Sequence, residues 1–219
     1  MAEETIANHI LMTTQSHKSA LRKQFLKLRG AYSAQERAKF SRAIYDHLLT
    51  VDQFKNAESV MVYLTIGSEV ETLFIVDELI REQKKVVIPY CDKNTLGIAQ
   101  ITNLQTQITD GLYGVMEPVL TIRDNFNKHD LECVLCPGVA FDMRGYRLGR
   151  GKAFYDSFLC DIKSNAFVAG LAFNCQISKE PLPVDCHDIA MDEVVTECGP
   201  VIKKRGSSEN SVESTTLIR

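Results

Sequence analysis

The chain has 219 residues, 45% of them hydrophobic and 24% charged, with a formal net charge of −3 and a pI near 6.0. That length and apolar content suit one soluble domain with a substantial core, and the near-neutral balance excludes whole-molecule attraction to nucleic acid or an anionic membrane. The start Met1-Ala2-Glu3-Glu4 carries the wrong charge for a secretory leader, and Ile10-Leu11-Met12 is too short for a membrane span, so the chain reads as cytoplasmic.

Residues 1–15 show no strong period and read as a mobile leader. From Lys18 to Arg29, Leu21, Phe25 and Leu28 recur at helical spacing, which predicts an amphipathic helix with a basic side. Ser33 and Glu36 form a capping box that opens a second helix running to about Leu49. Then the pattern alternates: strand over Ser59–Leu64, helix over Thr72–Glu82, strand over Val86–Tyr90, and a hairpin-like region around Gly97–Thr102. Leu131–Cys136, a helix over Ala153–Leu159, Phe167–Ala172 and Glu193–Thr196 continue it. The expected architecture is a single α/β domain over 16–202, an open three-layer fold around a mostly parallel sheet. After Ile202 the chain turns polar and serine-rich, so 203–219 read as a disordered tail.

Seven cysteines are scattered without a paired framework, as reduced thiols are. Cys133-x-x-Cys136 has a redox or zinc spacing. On a strand, however, residues three apart point to opposite faces, so both read as buried small hydrophobes. No Ser-His-Asp or Cys-His arrangement stands out.

Gly145-Tyr146-Arg147-Leu148-Gly149-Arg150-Gly151-Lys152-Ala153-Phe154-Tyr155-Asp156 joins three glycines, three cations and a terminal carboxylate between a predicted strand and a predicted helix. Glycines let backbone amides approach an anion, and a helix start adds partial positive charge. The run is no Walker A loop, because Tyr146 stands six residues before Lys152 and Ala153 follows it; the glycines also miss the Rossmann order. Arg144, Arg147, Arg150 and Lys152 fall within nine residues of an acidic chain. Unpaired repulsion of that kind points to an anionic ligand, a solvated basic turn being the plainer alternative.

Three further features carry open readings. Glu69 and Glu71, between a strand and the helix after it, either accept paired N–H bonds from an amidine-like heterocycle or favour the helix start. Lys18 and Arg22, at i and i+4, share a helix face that gains meaning only if it packs beside the glycine-rich run. Asp156, Asp188 and Asp192 are either caps and turn formers or partners for magnesium, which binds beside nucleotide through one or two carboxylates.

Taken together, Pro137-Gly138-Val139-Ala140-Phe141-Asp142, the Arg147–Lys152 run ending in Phe154-Tyr155-Asp156, Ser68-Glu69-Val70-Glu71-Thr72 and Lys18-x-x-x-Arg22 resemble the 5-formyltetrahydrofolate cyclo-ligase (5,10-methenyltetrahydrofolate synthetase) family, in order, over residues 18–197. The resemblance implies a fold similar to phosphosugar isomerases and CoA transferases. It implies ATP-dependent cyclisation of 5-formyltetrahydrofolate, free or polyglutamylated, with ATP and Mg2+ required, and a monomer with neither nucleic-acid nor membrane partner. By the same resemblance, Lys18, Ser19, Ala20, Leu21 and Arg22, with Arg147, Leu148, Gly149, Arg150, Gly151, Lys152, Ala153, Phe154 and Tyr155, would hold ATP. Leu64 and Glu69 would line the folate pocket, Asp156 and Asp188 would serve magnesium, and Arg150 and Lys152 would be catalytic. Two positions depart from the family form: Ala153 replaces a usual glycine, and Phe154 stands where tyrosine is frequent. The added methyl of Ala153 would crowd the phosphates or demand a negative φ. A phosphosugar isomerase, with Glu69 or Asp142 as base, and a non-catalytic nucleotide- or RNA-binding relative are the competing readings.

Overall fold

In the computed structural model, residues 2–93, 95–111 and 116–203 are described. The order is α1 (Ala2–Gly30), α2 (Ala34–Leu48), α3 (Asp52–Asn56), β1 (Ser59–Val62), α4 (Leu73–Arg81), β2 (Lys85–Asp92), β3 (Thr95–Ile101), α5 (Leu104–Gln107), β4 (Ile108–Asp110), β5 (Met116–Pro118), β6 (Cys133–Cys136), β7 (Ala140–Asp142), β8 (Arg147–Leu148), α6 (Phe154–Ile162), β9 (Phe167–Leu171), β10 (Ile177–Ser178), β11 (Glu193–Thr196) and β12 (Gly199–Lys203). Helix α1 begins at Ala2, not near Lys18, and so takes in the segment expected as a leader. Residues 204–219 of the expected tail lie outside the described residues.

The central sheet has seven strands in the order β12-β11-β9-β6-β1-β2-β3. Pairings among β11, β9, β6, β1 and β2 are parallel, and an antiparallel strand closes each edge, β12 on one side and β3 on the other. Period-two alternation splits each central strand between two cores. Val60 and Val62 of β1 and Cys133 and Leu135 of β6 pack with Ile44, Ile75 and Leu79 of α2 and α4. Met61, Val134 and Cys136 pack with Phe158, Leu159 and Ile162 of α6 on the other face. Cys133 and Cys136 therefore lie on opposite faces as expected, and burial pushes the Cys136 thiol up to about 12.

The capping box is present: Ser33 N–H donates to Glu36 Oε2 at 2.8 Å and Glu36 N–H to Ser33 Oγ at 3.2 Å. The sequence pattern gave no sign of a small second sheet, β10-β7-β8, inside the segment after β6. Phe25 of α1 packs on that sheet with Val139, Ala140, Leu148 and Leu182. Leu28, expected on the apolar stripe of α1, is instead 44% exposed. The buried stripe runs Lys18, Phe25, Arg29, with Leu21 and Arg22 half-buried beside it, so the basic side is the packed side. Among the described residues no helix is long and apolar enough to cross a membrane.

Candidate active site

From β1 the chain builds outward to β2 and β3, whereas from β6 it builds the other way to β9 and β11. Doubly wound sheets take ligands outside the strands' carboxyl ends at such a reversal, here between β1 and β6. The loops that leave β1 and β6 at this point are the two acid- and base-bearing segments.

After β1, Gly67 adopts φ +62° and Ile66 N–H donates to Glu69 Oε2 at 3.1 Å, which folds the loop onto its own carboxylate. Glu69 is buried, facing the crevice. The amide of Glu71 instead donates to Ser41 Oγ of α2, and Glu71 lines a separate cavity of about 640 Å³ with Lys39, Arg42, Thr65 and Phe74. Helix α4 starts at Leu73 after the N-cap Thr72 and has no acid in its first turn, so both glutamates lie in the loop before the helix. Leu64 is a buried member of the core under α2 and α4.

After β6, the glycine-rich run is a hairpin followed by a loop. Asp142, 1% exposed, knots the hairpin: it accepts from the amides of Arg144, Tyr146 and Leu182 and from Nε and Nη2 of Arg144. With five donors on one carboxylate, no lone pair is left for a base, which removes Asp142 from the isomerase reading. Gly145 turns the hairpin at φ +87°, where a Cβ would lie 2.8 Å from the Met191 carbonyl oxygen. Gly151 follows at φ +103°, with a Cβ position 3.5 Å from the Arg22 guanidinium. Ala153, expected to avoid the glycine conformation, adopts it: φ is +52° at the N-cap of α6, and no side chain caps that helix. The methyl group is tolerated in the left-handed region at a cost of roughly 1 kcal/mol.

Charge across the crevice alternates. Lys18 Nζ, buried, lies 2.6 Å from Asp185 and 3.0 Å from Asp188. Burial lowers the affinity of this ammonium for its proton, but the two aspartates more than offset it, so its pKa rises above the ordinary value. Arg22 Nε donates to the Gly149 carbonyl at 2.8 Å. Arg147, its side chain 3% exposed, pairs with Asp156 Oδ1 at 2.9 Å and covers the Tyr155 ring at 5.2 Å, while its Nη1 is buried with no hydrogen-bond partner among the described residues. Arg150 reaches over the crevice to Glu69, with Nη2 2.7 Å and Nε 3.2 Å from Oε1. Lys152 Nζ lies 5.6 Å from the Phe154 ring.

The cations that were expected to repel one another are therefore largely matched: Arg144 with Asp142, Arg147 with Asp156, Arg150 with Glu69. The structure joins Asp156 to the Asp188 loop, since Ile189 N–H donates to Asp156 Oδ1 at 3.3 Å. It separates Asp192, which accepts from Lys163 and from the Val168 amide at the strands' amino ends. Ser19 and Ala20 face solvent on α1. Sequence reasoning missed Asp185, Ser68 and Arg29 as parts of the crevice. Arg29 had a signal, standing seven residues after Arg22 on the same helical stripe; Asp185 had none.

The fold and crevice together define an α/β protein with a crevice between two loops of opposite charge at the switch point of a doubly wound sheet. The sequence profile of the 5-formyltetrahydrofolate cyclo-ligase family matches residues 14–197. The 5-formyltetrahydrofolate cyclo-ligase of Mus musculus is 29% identical over 201 residues, covering 86% of this chain and 98% of the relative. That of Escherichia coli K12 is 29% identical over 171 residues, covering 77% and 93%. The solved structure of Aquifex aeolicus 5,10-methenyltetrahydrofolate synthetase is similar with a TM-score of 0.76 at 32% identity, covering 90% of this chain and 98% of that one. The chain belongs to the 5-formyltetrahydrofolate cyclo-ligase family.

Proposed function

We propose that the protein converts 5-formyltetrahydrofolate to 5,10-methenyltetrahydrofolate at the expense of ATP, with release of ADP and phosphate. The observation that carries this reading is the Arg150–Glu69 pair, 2.7 Å across the crevice, which ties the nucleotide-side loop to the folate-side loop. The N5-formyl group is an amide and resists attack by N10. Its oxygen takes the γ-phosphoryl group as ADP leaves, N10 then bonds to the activated carbon and gives up its proton to water, and the C–O bond breaks to release phosphate. Such transfer needs positioned positive charge more than a strong nucleophile.

In this reading the pterin takes the Glu69 carboxylate through paired N–H bonds, which frees Arg150 to join Lys152 at the moving phosphoryl group. Lys18, Arg22 and Arg147 serve the remaining phosphates, and the unpartnered Nη1 of Arg147 is a donor ready for one more acceptor. Among the described residues no cluster of three metal-type ligands occurs, which suits magnesium carried on nucleotide, whose shell is mostly phosphate and water. Asp156 and Asp188 fit as its protein ligands and the ion would neutralise phosphate charge. Release of Asp188 from Lys18 and of Asp156 from Arg147 would leave both cations for phosphate.

Incubating the purified chain with 5-formyltetrahydrofolate and MgATP is expected to give the near-ultraviolet absorbance of the methenyl product, and none without ATP. No product with ATP present, from protein shown to be folded, would sink the proposal.

A further inference from the structure

Helix α1 makes a choice that packing alone does not explain. It leaves Leu26 and Leu28 41% and 44% exposed and buries Arg29 to 2%. Apolar side chains ordinarily take the buried positions and arginine the surface, and a guanidinium withdrawn from water costs several kcal/mol unless bonds compensate. A helix rotated by one residue would bury Leu28 in its place. What Arg29 touches therefore helps to set the register, together with the buried Phe25 and Lys18 on the same stripe.

It touches both walls of the switch point. Arg29 Nε donates to Ser68 Oγ at 3.1 Å, in the loop after β1, and Nη1 donates to the Gly138 carbonyl at 3.2 Å, in the turn after β6. The Gly138 carbonyl is itself fixed by Gln176 Nε2 at 2.8 Å, so one end of the clamp is rigid. Among the described residues no carboxylate is bonded to Arg29. Glu69, next to Ser68, acts on it through charge alone, and Arg150 opposes it as a like charge. Glu69 thus has a cation beneath it that stays in place and a second, Arg150, whose side chain is 52% exposed and able to leave.

We propose that Arg29 is a positioning residue for the folate-side carboxylate: it clamps the Ser68–Glu69 turn to Gly138, so that Glu69 keeps its place when Arg150 departs for phosphate. The inference rests on the reading of Glu69 and Arg150 given above. Without Arg29, withdrawal of Arg150 would leave a buried carboxylate with, among the described residues, the Ile66 amide as its remaining hydrogen-bond donor. Such a carboxylate turns toward water, and the pterin loses its partner. Arg22, on the same helix but bonded to Gly149, belongs to the nucleotide side.

The test uses the full chain as wild type, Arg29→Met, Arg29→Lys and Ser68→Ala, with calorimetric titration of 5-formyltetrahydrofolate and of MgATP separately, hydrogen exchange over residues 65–70, and melting temperatures. Arg29→Met is expected to weaken folate binding about tenfold or more, the loss that follows when a charge-assisted hydrogen bond is removed. Nucleotide affinity should stay within about twofold, and exchange at 66–69 should quicken. Arg29→Lys, which keeps the charge but has no fork, should recover part of the folate affinity. Ser68→Ala keeps the buried cation and removes one acceptor, so it carries the test should Arg29→Met fail to fold. Ser68→Ala weaker for folate alone, by about threefold or more, supports the clamp, as one neutral partner lost from a charged bond implies. Wild-type folate affinity and exchange in the folded variants overturns it, as does an equal loss for both ligands. A wild-type protein that binds no folate defeats the cyclo-ligase reading, and exchange at 66–69 then decides the clamp by itself.

Discussion

At the amino ends of the strands, Asp192 accepts from the Val168 amide and from Lys163, and Lys84 donates to the carbonyls of Lys55 and Ala57. At the carboxyl ends, Lys18, Arg147 and Arg150 are held by the carboxylates of Asp188, Asp156 and Glu69. The residue types match, but at the amino ends backbone groups share the bonding, beside the Lys163–Asp192 pair. Charge bonded to backbone is fixed by the fold, because the peptide groups cannot move without unfolding the end of a strand or of helix α3. Charge bonded to charge across two loops is exchangeable: a phosphate can replace the carboxylate, and a metal or heterocycle the cation, with no strand disturbed. The contrast separates a structural end of the sheet from the end proposed to bind ligands.

The hardest test of the contrast is at the carboxyl end. Arg150→Ala and Lys152→Ala are each expected to cut turnover by about 10²–10³, the range for removing one preorganised charge donor, while the melting temperature hardly moves because both side chains are exposed. Near-normal turnover in both would return the loop to solvated surface.

Asp142→Ala should give the largest loss of stability, about 3 kcal/mol by denaturant titration, since three amides lose their acceptor and each buried unsatisfied donor costs roughly 1–3 kcal/mol. The Arg144 side chain, 44% exposed, regains water and adds little. Asp142 lies in the carboxyl-end segment yet is bonded largely to backbone, so a stable Asp142→Ala would break the rule. At the amino end Asp192→Ala is expected to cost about 1–2 kcal/mol by the same measurement, with MgATP affinity unchanged. The smallest effect is expected for Ala153→Gly: relief of the positive φ, reduced by glycine's freedom in the unfolded chain, should give less than about 1 kcal/mol of stabilisation. A loss of stability there would show that the methyl group packs usefully.

The elements were legible where a period exists. The capping box at Ser33 and Glu36 and the alternation that sends Cys133 and Cys136 to opposite faces follow from spacing within a few residues; the hairpin-like region around Gly97–Thr102 is mostly the β3 arm of the β2–β3 pair. The same logic failed on α1, where Leu28 was given a buried place that Arg29 holds, because the helix packs against a polar crevice and hydrophobicity no longer ranks its faces. It failed again inside the glycine-rich run, where two-residue strands such as Arg147–Leu148 are too short to show any period.

What the sequence determined by itself is therefore most strands of the central sheet, the longer helices, the mostly parallel character of the sheet and the two loops that carry charge, since each is written in neighbours along the chain. The tertiary structure alone decided which cation meets which carboxylate. Lys18 and Asp188 stand 170 residues apart and Glu69 and Arg150 stand 81 apart. Coulombic pairing depends on distance in space, and no pattern along the chain records where a fold brings two such residues together.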